Sequence, residues 1–353
     1  MKKINLAVIF GGQSSEHEVS LSSARGVIEA LDQEKYNLIP MAITKSGSWL
    51  IGKKGDDYLE KFQDRAGIEN GISLEDSEIL VSENDENLFD YVKKNKLDLV
   101  LPILHGPFGE DGRIQGLLDM FEIPYVFSGV LAHALAMNKY KAKIIAKNNG
   151  VLVARDMLID EKYDLESILQ EFDLPLIVKP VESGSSVGVS LVRKKEELGV
   201  AVEKALAKSD QAIIEEYIRG REFTATLIGD RDPEMLAITE IIPKISDFYD
   251  YKAKYEQGGS EHVCPAKIPE NIAKEIEDQA TNVYRAIGCR DLSRADFIWN
   301  EEKGVYFIEI NTIPGMTPTS LAPEAAKNYG LNFTQFLDKI INLALERKKY
   351  ERK

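Results

Sequence analysis

Two stretches near the carboxyl end carry residue types able to hold a metal and neutralise charge. Val305-Tyr306-Phe307-Ile308-Glu309-Ile310-Asn311 is a β-branched and aromatic run of strand type. It breaks into the Pro/Gly/Thr loop Thr312-Ile313-Pro314-Gly315-Met316-Thr317-Pro318-Thr319-Ser320. Alternation along a strand puts Glu309 and Asn311 on one side and Ile308 and Ile310 on the other. A carboxylate and an amide oxygen so placed make an oxygen-only donor pair. Such a pair suits Mg²⁺, which takes one or two protein oxygens and completes its shell with water and phosphate. Upstream, Ser293-Arg294-Ala295-Asp296-Phe297-Ile298-Trp299 alternates so that Arg294 and Asp296 share a side. Asp296 could complete the metal set, and Arg294 could meet developing negative charge. An edge hairpin with a solvated acidic face would give the same spacing. The Pro-Gly turn beside a Ser/Thr cluster is typical of an anion-holding loop and favours the ligand site.

These groups need a scaffold, and the chain supplies strands that end in small-residue loops. Ile4-Asn5-Leu6-Ala7-Val8-Ile9-Phe10 reads as a buried strand, followed by Gly11-Gly12 and a helix through about Leu31. Strand, glycine turn and helix start form an αβ unit with a ligand site at the strand's carboxyl end. It is neither a Walker loop nor a dinucleotide fingerprint. Glu16 and Glu18 in a first helical turn would by themselves complement the helix dipole. Leu97–Leu104 is a second buried strand that ends at His105-Gly106, with Asp111 as a cap for a helix over Gly112–Met120. Residues 45–87 are polar and weakly periodic and read as an insertion. Met137–Lys143 opens another helix, whose lysines alone suggest a solvated face. Leu176-Ile177-Val178-Lys179-Pro180 is a strand leading into Ser183-Gly184-Ser185-Ser186-Val187-Gly188, a loop whose N–H groups can cover phosphate oxygens. Ala212–Tyr217 is a strand running into a hinge, with backbone groups for a ring edge. Phe248-Tyr249-Asp250-Tyr251-Lys252-Ala253-Lys254-Tyr255 suits a lid packed by its own aromatics. Helices over roughly Ala322–Gly330 and Phe333–Arg347 read as amphipathic packing.

Composition bounds the rest. The chain has 353 residues, enough for two or three domains, with 44% hydrophobic and 29% charged residues. The net charge of −14 argues against a general nucleic-acid or anionic-membrane binder. An anionic nucleotide would therefore need a local cluster of lysine, arginine and metal. Cys264 and Cys289 form no disulfide framework or metal spacing. The apolar run after Met1-Lys2-Lys3 is too short for a secretion signal, and nothing approaches the ~20 apolar residues of a membrane span. A cytoplasmic protein is expected.

Several segments, in one order, resemble D-alanine–D-alanine ligases of the ATP-grasp superfamily. Arg294-x-Asp296, Glu309-x-Asn311-Thr312-x-Pro314-Gly315-Met316-Thr317 and Ser320-Leu321 look like their carboxy-terminal signature. Gly11-Gly12-x-Ser14-x-Glu16-x-Glu18-Val19-Ser20 is similar to their amino-terminal motif. His105-Gly106 before Gly109-Glu110-Asp111-Gly112, Lys179-Pro180 with Gly184-Ser185-Ser186-Val187-Gly188, and Tyr249-Asp250-Tyr251-x-x-Lys254-Tyr255 extend the likeness. Phe127, where related ligases often carry Gly, is a small departure. The resemblance implies an α/β fold of three domains: a Rossmann-like amino-terminal domain (1–128), a central ATP-grasp subdomain (129–215) and a carboxy-terminal subdomain (216–353) with a lid at 244–263.

It also implies roles. Glu16 receives the first D-alanine's ammonium, His105 lies near the reacting acyl group, and Ser320 receives the second substrate's carboxylate. Lys139, Lys179, Ser185, Ser186 and Lys254 would contact ATP phosphates or the loop over them. Glu215, Glu216, Tyr217 and Ile218 would line the adenine pocket, with Glu222 on the ribose. Asp296, Glu309 and Asn311 would hold Mg²⁺ or Mn²⁺, two ions being expected. Arg294 and the Gly315 N–H would stabilise an oxyanion, and Tyr255 would join Glu16 and Ser185 when the lid closes. The activity implied is ATP-dependent joining of two D-alanines for peptidoglycan synthesis, by a homodimer with no nucleic-acid or membrane partner. The alternatives are a D-alanine–D-lactate ligase, against which Tyr255 counts, an ATP-grasp carboxylase, which leaves Glu16 and Tyr255 unexplained, and a nucleotide-binding regulator without catalysis.

Overall fold

The computed structural model describes residues 2–63, 91–92, 94–245 and 258–351. Packing divides the chain into two compact units, Met1–Val130 with Ile313–Lys353, and Leu131–Thr312. In the first unit, β1 (Ile4–Gly11), α1 (His17–Ala30), β2 (Tyr36–Ile43), β3 (Trp49–Ile51), α2 (Lys53–Gln63), β4 (Leu99–Ile103) and α3 (Arg113–Met120) follow in order. The sheet runs β3-β2-β1-β4, with β1 parallel to both β2 and β4 and β3 antiparallel. Leu6 to Phe10 are wholly buried, the unbroken apolar run of a strand covered on both faces. The chain leaves β1 through Gly11 and Gly12, both at positive φ. A Cβ on Gly11 would lie 2.2 Å from the Ile43 carbonyl oxygen, so only glycine fits there.

Part of the insertion is more ordered than its composition suggests. Trp49–Ile51 pairs with β2, and Lys53–Gln63 is helical. Leu50, Tyr58 and Leu59 supply buried anchors in an otherwise polar stretch. The remainder of the insertion, from residue 64 on, lies outside the described residues.

The second unit opens with α4 (Val130–Met137), whose first residue belongs to the first unit, and α5 (Lys139–Asn148). Its first sheet contains β5 (Asp156–Ile159), β6 (Leu176–Pro180), β7 (Ser190–Val192) and β8 (Ala212–Glu216), in the antiparallel order β5-β8-β6-β7. Helices α6 (Leu165–Glu171) and α7 (Leu198–Leu206) pack Ile168, Leu198 and Val202 with Leu176, Val178 and Ile214 of the sheet. The second sheet contains β9 (Arg221–Gly229), β10 (Glu234–Pro243), β11 (Ser260–Val263), β12 (Asp291–Asn300) and β13 (Gly304–Asn311), in the order β11-β10-β9-β12-β13. Helix α8 (Glu270–Ile287) sets Ile276, Ala280, Val283, Tyr284 and Ile287 against Phe223, Ala295, Phe297 and Phe307. That three-and-four spacing is the apolar stripe of a helix covering a sheet. β11 pairs with the end of β10, so Ser260–Val263, expected in the lid, is strand.

The last two helices, α9 (Leu321–Asn328) and α10 (Phe333–Glu351), return to the first unit rather than extending the second. Buried Phe336, Leu337, Ile340, Ile341 and Ala344 line one side of α10, which packs on α1 and β4. Asp338 accepts hydrogen bonds from Tyr36 (2.8 Å) and Lys35 (2.5 Å), and Thr334 donates to the Ala30 carbonyl. Among the described residues no helix is long and apolar enough to cross a membrane.

Candidate functional site

In the second unit, a cleft between the two sheets gathers most of the residues expected around a nucleotide. Lys139, Lys179, Ser186, Glu215, Glu216, Tyr217, Ile218, Glu222, Asp296 and Glu309 all line it. It encloses about 1220 Å³, open solvent at its mouth included. Its apolar walls are Ile177, Val189, Phe223, Ile241, Ile298 and Tyr306, as expected of a pocket that takes a flat ring. The hinge between β8 and β9 is anchored by Glu216 N–H to the Arg155 carbonyl and by Tyr217 N–H to the Pro175 carbonyl. Gly220 follows, and a Cβ there would lie 2.3 Å from the Trp299 carbonyl oxygen.

The loop between β6 and β7 is pinned at its base. Lys139 Nζ donates to the Ser183 carbonyl at 2.5 Å and lies 3.4 Å from Glu309 Oε2. The Lys139 N–H donates to the Val181 carbonyl, and Asn138 reaches Glu182. Ser185 and Ser186 take φ of 49° and 57°, a left-handed pair that L residues rarely adopt. Strained backbone of this kind clusters at ligand clamps and switch loops.

Lys179 Nζ makes an ion pair with Glu215 Oε2 at 2.8 Å, and Lys143 Nζ takes Glu215 Oε1 at 2.5 Å. Burial works to raise the Glu215 pKa, but Lys179 and Lys143 together hold it at about 2. Burial likewise opposes the Lys143 charge, yet Glu215 and Asp156 keep its pKa raised. Lys179, 5% exposed, goes the other way: burial pulls its ammonium below the usual lysine range. The lysine face of α5 is thus only partly solvated. Lys141 and Lys147 are exposed, whereas Lys143 is buried. Sequence reasoning missed Lys143; its signal is the four-residue step from Lys139, one turn along the same helix face.

Asp296 stands opposite Glu309 across the β12–β13 ladder, and Arg294 opposite Asn311. Asp296 accepts from Arg294 Nε and Nη2 (3.0 Å each), from Thr224 Oγ1 (2.6 Å) and from Asn311 Nδ2 (3.2 Å). A bulge at this point alters the expected alternation. Ile310 packs in the core, but Ile308 lines the cleft. The extra residue lets Phe307 and Ile310 both face the core while Glu309 stays on the Asp296 side. Among the described residues no three His, Cys, Asp or Glu side chains form a group that could by itself hold a metal ion. Two carboxylates and an amide remain, an oxygen-only set that fits Mg²⁺ or Mn²⁺ with water and phosphate completing the shell. Thr224, which steadies Asp296, was not foreseen, because its strand reads as ordinary β-branched core.

The first unit collects the other expected residues. Ser14 Oγ donates to the His105 carbonyl (2.7 Å) and accepts the Glu16 N–H (3.1 Å). Glu16 is buried beside Gly106, where a Cβ would come within 2.6 Å of Glu16 Oε2. Ser23 Oγ lies 3.4 Å from His105 Nε2. Glu110 Oε2 takes the Gly106 N–H (2.8 Å), and Glu110 Oε1 takes the Ile313 N–H (3.4 Å), tying the His105 loop to the loop carrying Gly315. In that loop Ser320 Oγ accepts the Thr317 N–H (3.1 Å), and α1 packs against it through Gly26 and Pro318. His17 bridges the Gly12 carbonyl and the Tyr58 hydroxyl, a clamp on the glycine turn that gave no signal in the sequence. Asp111 takes the Arg113 N–H, although the helix begins at Arg113 and not at Gly112. Lys254 and Tyr255 lie outside the described residues.

Comparison with known proteins accords with this geometry. Residues 5–128 match the family model described as D-ala D-ala ligase N-terminus, and residues 142–342 match D-ala D-ala ligase C-terminus. The D-alanine--D-alanine ligase of Chloroherpeton thalassium is 39% identical over 98% of both chains. The crystal structure of VanG D-Ala:D-Ser ligase from Enterococcus faecalis is 34% identical with a TM-score of 0.79, covering 97% of this chain and 100% of its own. That of the Bacillus anthracis D-alanine--D-alanine ligase complexed with ATP is 29% identical with a TM-score of 0.75, covering 99% and 100%. The α/β ATP-grasp class expected from the sequence is the class of these structures. With both family models matched in order and this relative 39% identical along nearly the whole length, the chain belongs to the D-ala D-ala ligase family.

Proposed function

We propose that this protein uses ATP to join two D-alanines into D-alanyl-D-alanine for peptidoglycan synthesis. The observation that carries the reading is the convergence of Lys139, Lys179, Asp296 and Glu309 in one cleft beside an apolar hinge pocket. A carboxylate is a poor electrophile, so the first D-alanine's carboxylate oxygen attacks the γ-phosphorus. The bond to the ADP oxygen breaks, and an acyl phosphate forms. The second D-alanine's amine then bonds to the acyl carbon, loses a proton, and inorganic phosphate leaves. Lys139 and Lys179 orient the phosphates, and Glu215 to Ile218 with Glu222 hold the nucleoside. Glu16 takes the first ammonium and Ser320 the second carboxylate. Arg294 and the Gly315 N–H are the donors assigned to the oxyanion, and His105 stands near the acyl group. Ser185, Lys254 and Tyr255 keep the phosphate and closure roles that the family resemblance implies. Asp296, Glu309 and Asn311 would hold Mg²⁺ or Mn²⁺, which supplies charge neutralisation on the phosphates. The side chains act by positioning and by electrostatics. A cytoplasmic homodimer of three domains, divided near residues 128 and 215, completes the reading.

The likeness to a D-Ala:D-Ser ligase makes D-serine the acceptor to test beside D-alanine and D-lactate. ADP release from Mg-ATP is measured with each acceptor, and products are identified by mass. D-alanine-dependent ADP release with dipeptide as main product is expected. Mainly D-alanyl-D-serine, or ester near neutral pH, would move the assignment to another acceptor. Nucleotide binding without turnover would point to a regulator.

A further inference from the structure

Behind the cleft wall lies an ion-pair relay whose inner member never reaches the cleft. Lys143, 2% exposed, directs its ammonium to Asp156 Oδ2 (2.5 Å), Glu215 Oε1 (2.5 Å) and the Ala154 carbonyl (3.0 Å). All three donors are thus spent inside the protein. Glu215 turns its other oxygen to Lys179, which does line the cleft. Asp156 and Glu215 are direct partners across the β5–β8 ladder, so both carboxylates converge on Lys143 by register.

We infer that Lys143 is a positioning residue for the nucleotide phosphates: by occupying one oxygen of Glu215, it leaves Lys179 a single-oxygen partner and keeps the other ammonium donors of Lys179 available at the cleft wall. This rests on the ligase reading, because it takes the cleft to hold ATP. Without Lys143, Glu215 is free to close both oxygens on Lys179, and attraction between buried opposite charges is strong enough to compete with a phosphate. Asp156 would also lose its partner. Lys143 further acts on Lys179 by like charge. Lys179 sits below the usual lysine range chiefly through burial, with Lys143 and Lys139 on α5 adding to the shift and Glu215 on β8 opposing it.

The test uses Lys143→Met with Asp156→Asn, which removes one charge of each sign and strands no carboxylate, and Lys143→Arg, which keeps the cation. Should the double variant not fold, Lys143→Gln replaces it, since the amide keeps a donor toward Asp156. KM for ATP and for D-alanine, affinity for a non-hydrolysable ATP analogue, and melting temperature are measured. The expected result is a KM for ATP raised roughly 10- to 100-fold, the range of a charge-assisted hydrogen bond. The KM for D-alanine stays unchanged, and Lys143→Arg recovers most of the loss. A protonated Lys179 binds phosphate, so affinity fades as pH rises through its pKa. Removing the Lys143 charge moves that alkaline limb to higher pH. A folded variant with wild-type KM for ATP overturns the inference. So does a parallel rise in both KM values with a lowered melting temperature, which marks a structural role only. Wild-type protein that binds no nucleotide overturns the ligase reading itself, so the two failures are distinguishable.

Discussion

Arg294 grips Asp296 with two nitrogens, and only a planar guanidinium makes that fork. Arg294→Ala should lower kcat by ~10²–10³, the usual loss of one oxyanion donor, while affinity for an ATP analogue stays nearly intact. Steady-state kinetics beside calorimetry would show it, and wild-type turnover would remove Arg294 from its role. Glu215 gives a pH prediction. Its pKa is held at about 2, against an ordinary 4.5. A depressed carboxylate adds stability that is whole above the unfolded pKa and is lost as pH falls through the folded one. The window is therefore pH 4.5 to 2, and the contribution on the order of 3 kcal/mol. Urea unfolding of Glu215→Gln should show a flatter acid limb than wild type, together with lower stability at neutral pH. Equal acid slopes would mean that other carboxylates dominate. The placing of Lys179, Asp296, Glu309 and Asn311 on strands that end in small-residue loops could be read from residue order, whereas Lys139, Glu215 and Glu222 were expected only through the family resemblance. Burial could be read from neither. Lys143 looks like any surface lysine until a strand carrying Asp156 and another carrying Glu215 are paired beside it.

At the scale of elements, strand ends and loops were legible where apolar runs stop at glycine, as at Gly11-Gly12 and His105-Gly106. The β13 bulge was not, because strict alternation is the default and an extra residue leaves no mark in composition. The β3–α2 segment was hidden by its charged residues, since three buried side chains suffice to fix it. The contact between α1 and the Ser320 loop offers a test. A Cβ on Gly26 would lie 2.9 Å from Pro318 Cδ, too close without a shift. Alanine at an interior helix position gains up to about 1 kcal/mol of propensity over glycine. The clash offsets that gain, so Gly26→Ala should displace the Pro318 loop and raise the KM for D-alanine while leaving that for ATP unchanged. An unaltered KM for D-alanine would show that the loop tolerates the shift.

For the whole molecule, a net charge of −14 would repel a nucleotide unless cations were gathered locally, and Lys139 and Lys179 stand in the cleft that the hinge also lines. The expected amino-acid ligands Glu16, His105 and Ser320 belong to the other compact unit, along with the last two helices. Sequence order could not show that return, because residues 313–353 follow closely on β13 and only packing separates them from it. This division makes the two ligands distinguishable by where they protect the backbone. A ligand at a hundred times its Kd stabilises its binding unit by about 2.7 kcal/mol, slowing exchange through ligand-sensitive openings about 100-fold. Hydrogen exchange with a non-hydrolysable ATP analogue and Mg²⁺ should slow amides at 183–189 and 215–220, and leave 11–20 and 105–112 unchanged. D-alanine alone should do the reverse. Protection of 11–20 by nucleotide alone would overturn the assignment of substrates to units. Protection of neither segment by D-alanine would remove Glu16 and His105 from substrate binding while leaving the nucleotide cleft in place.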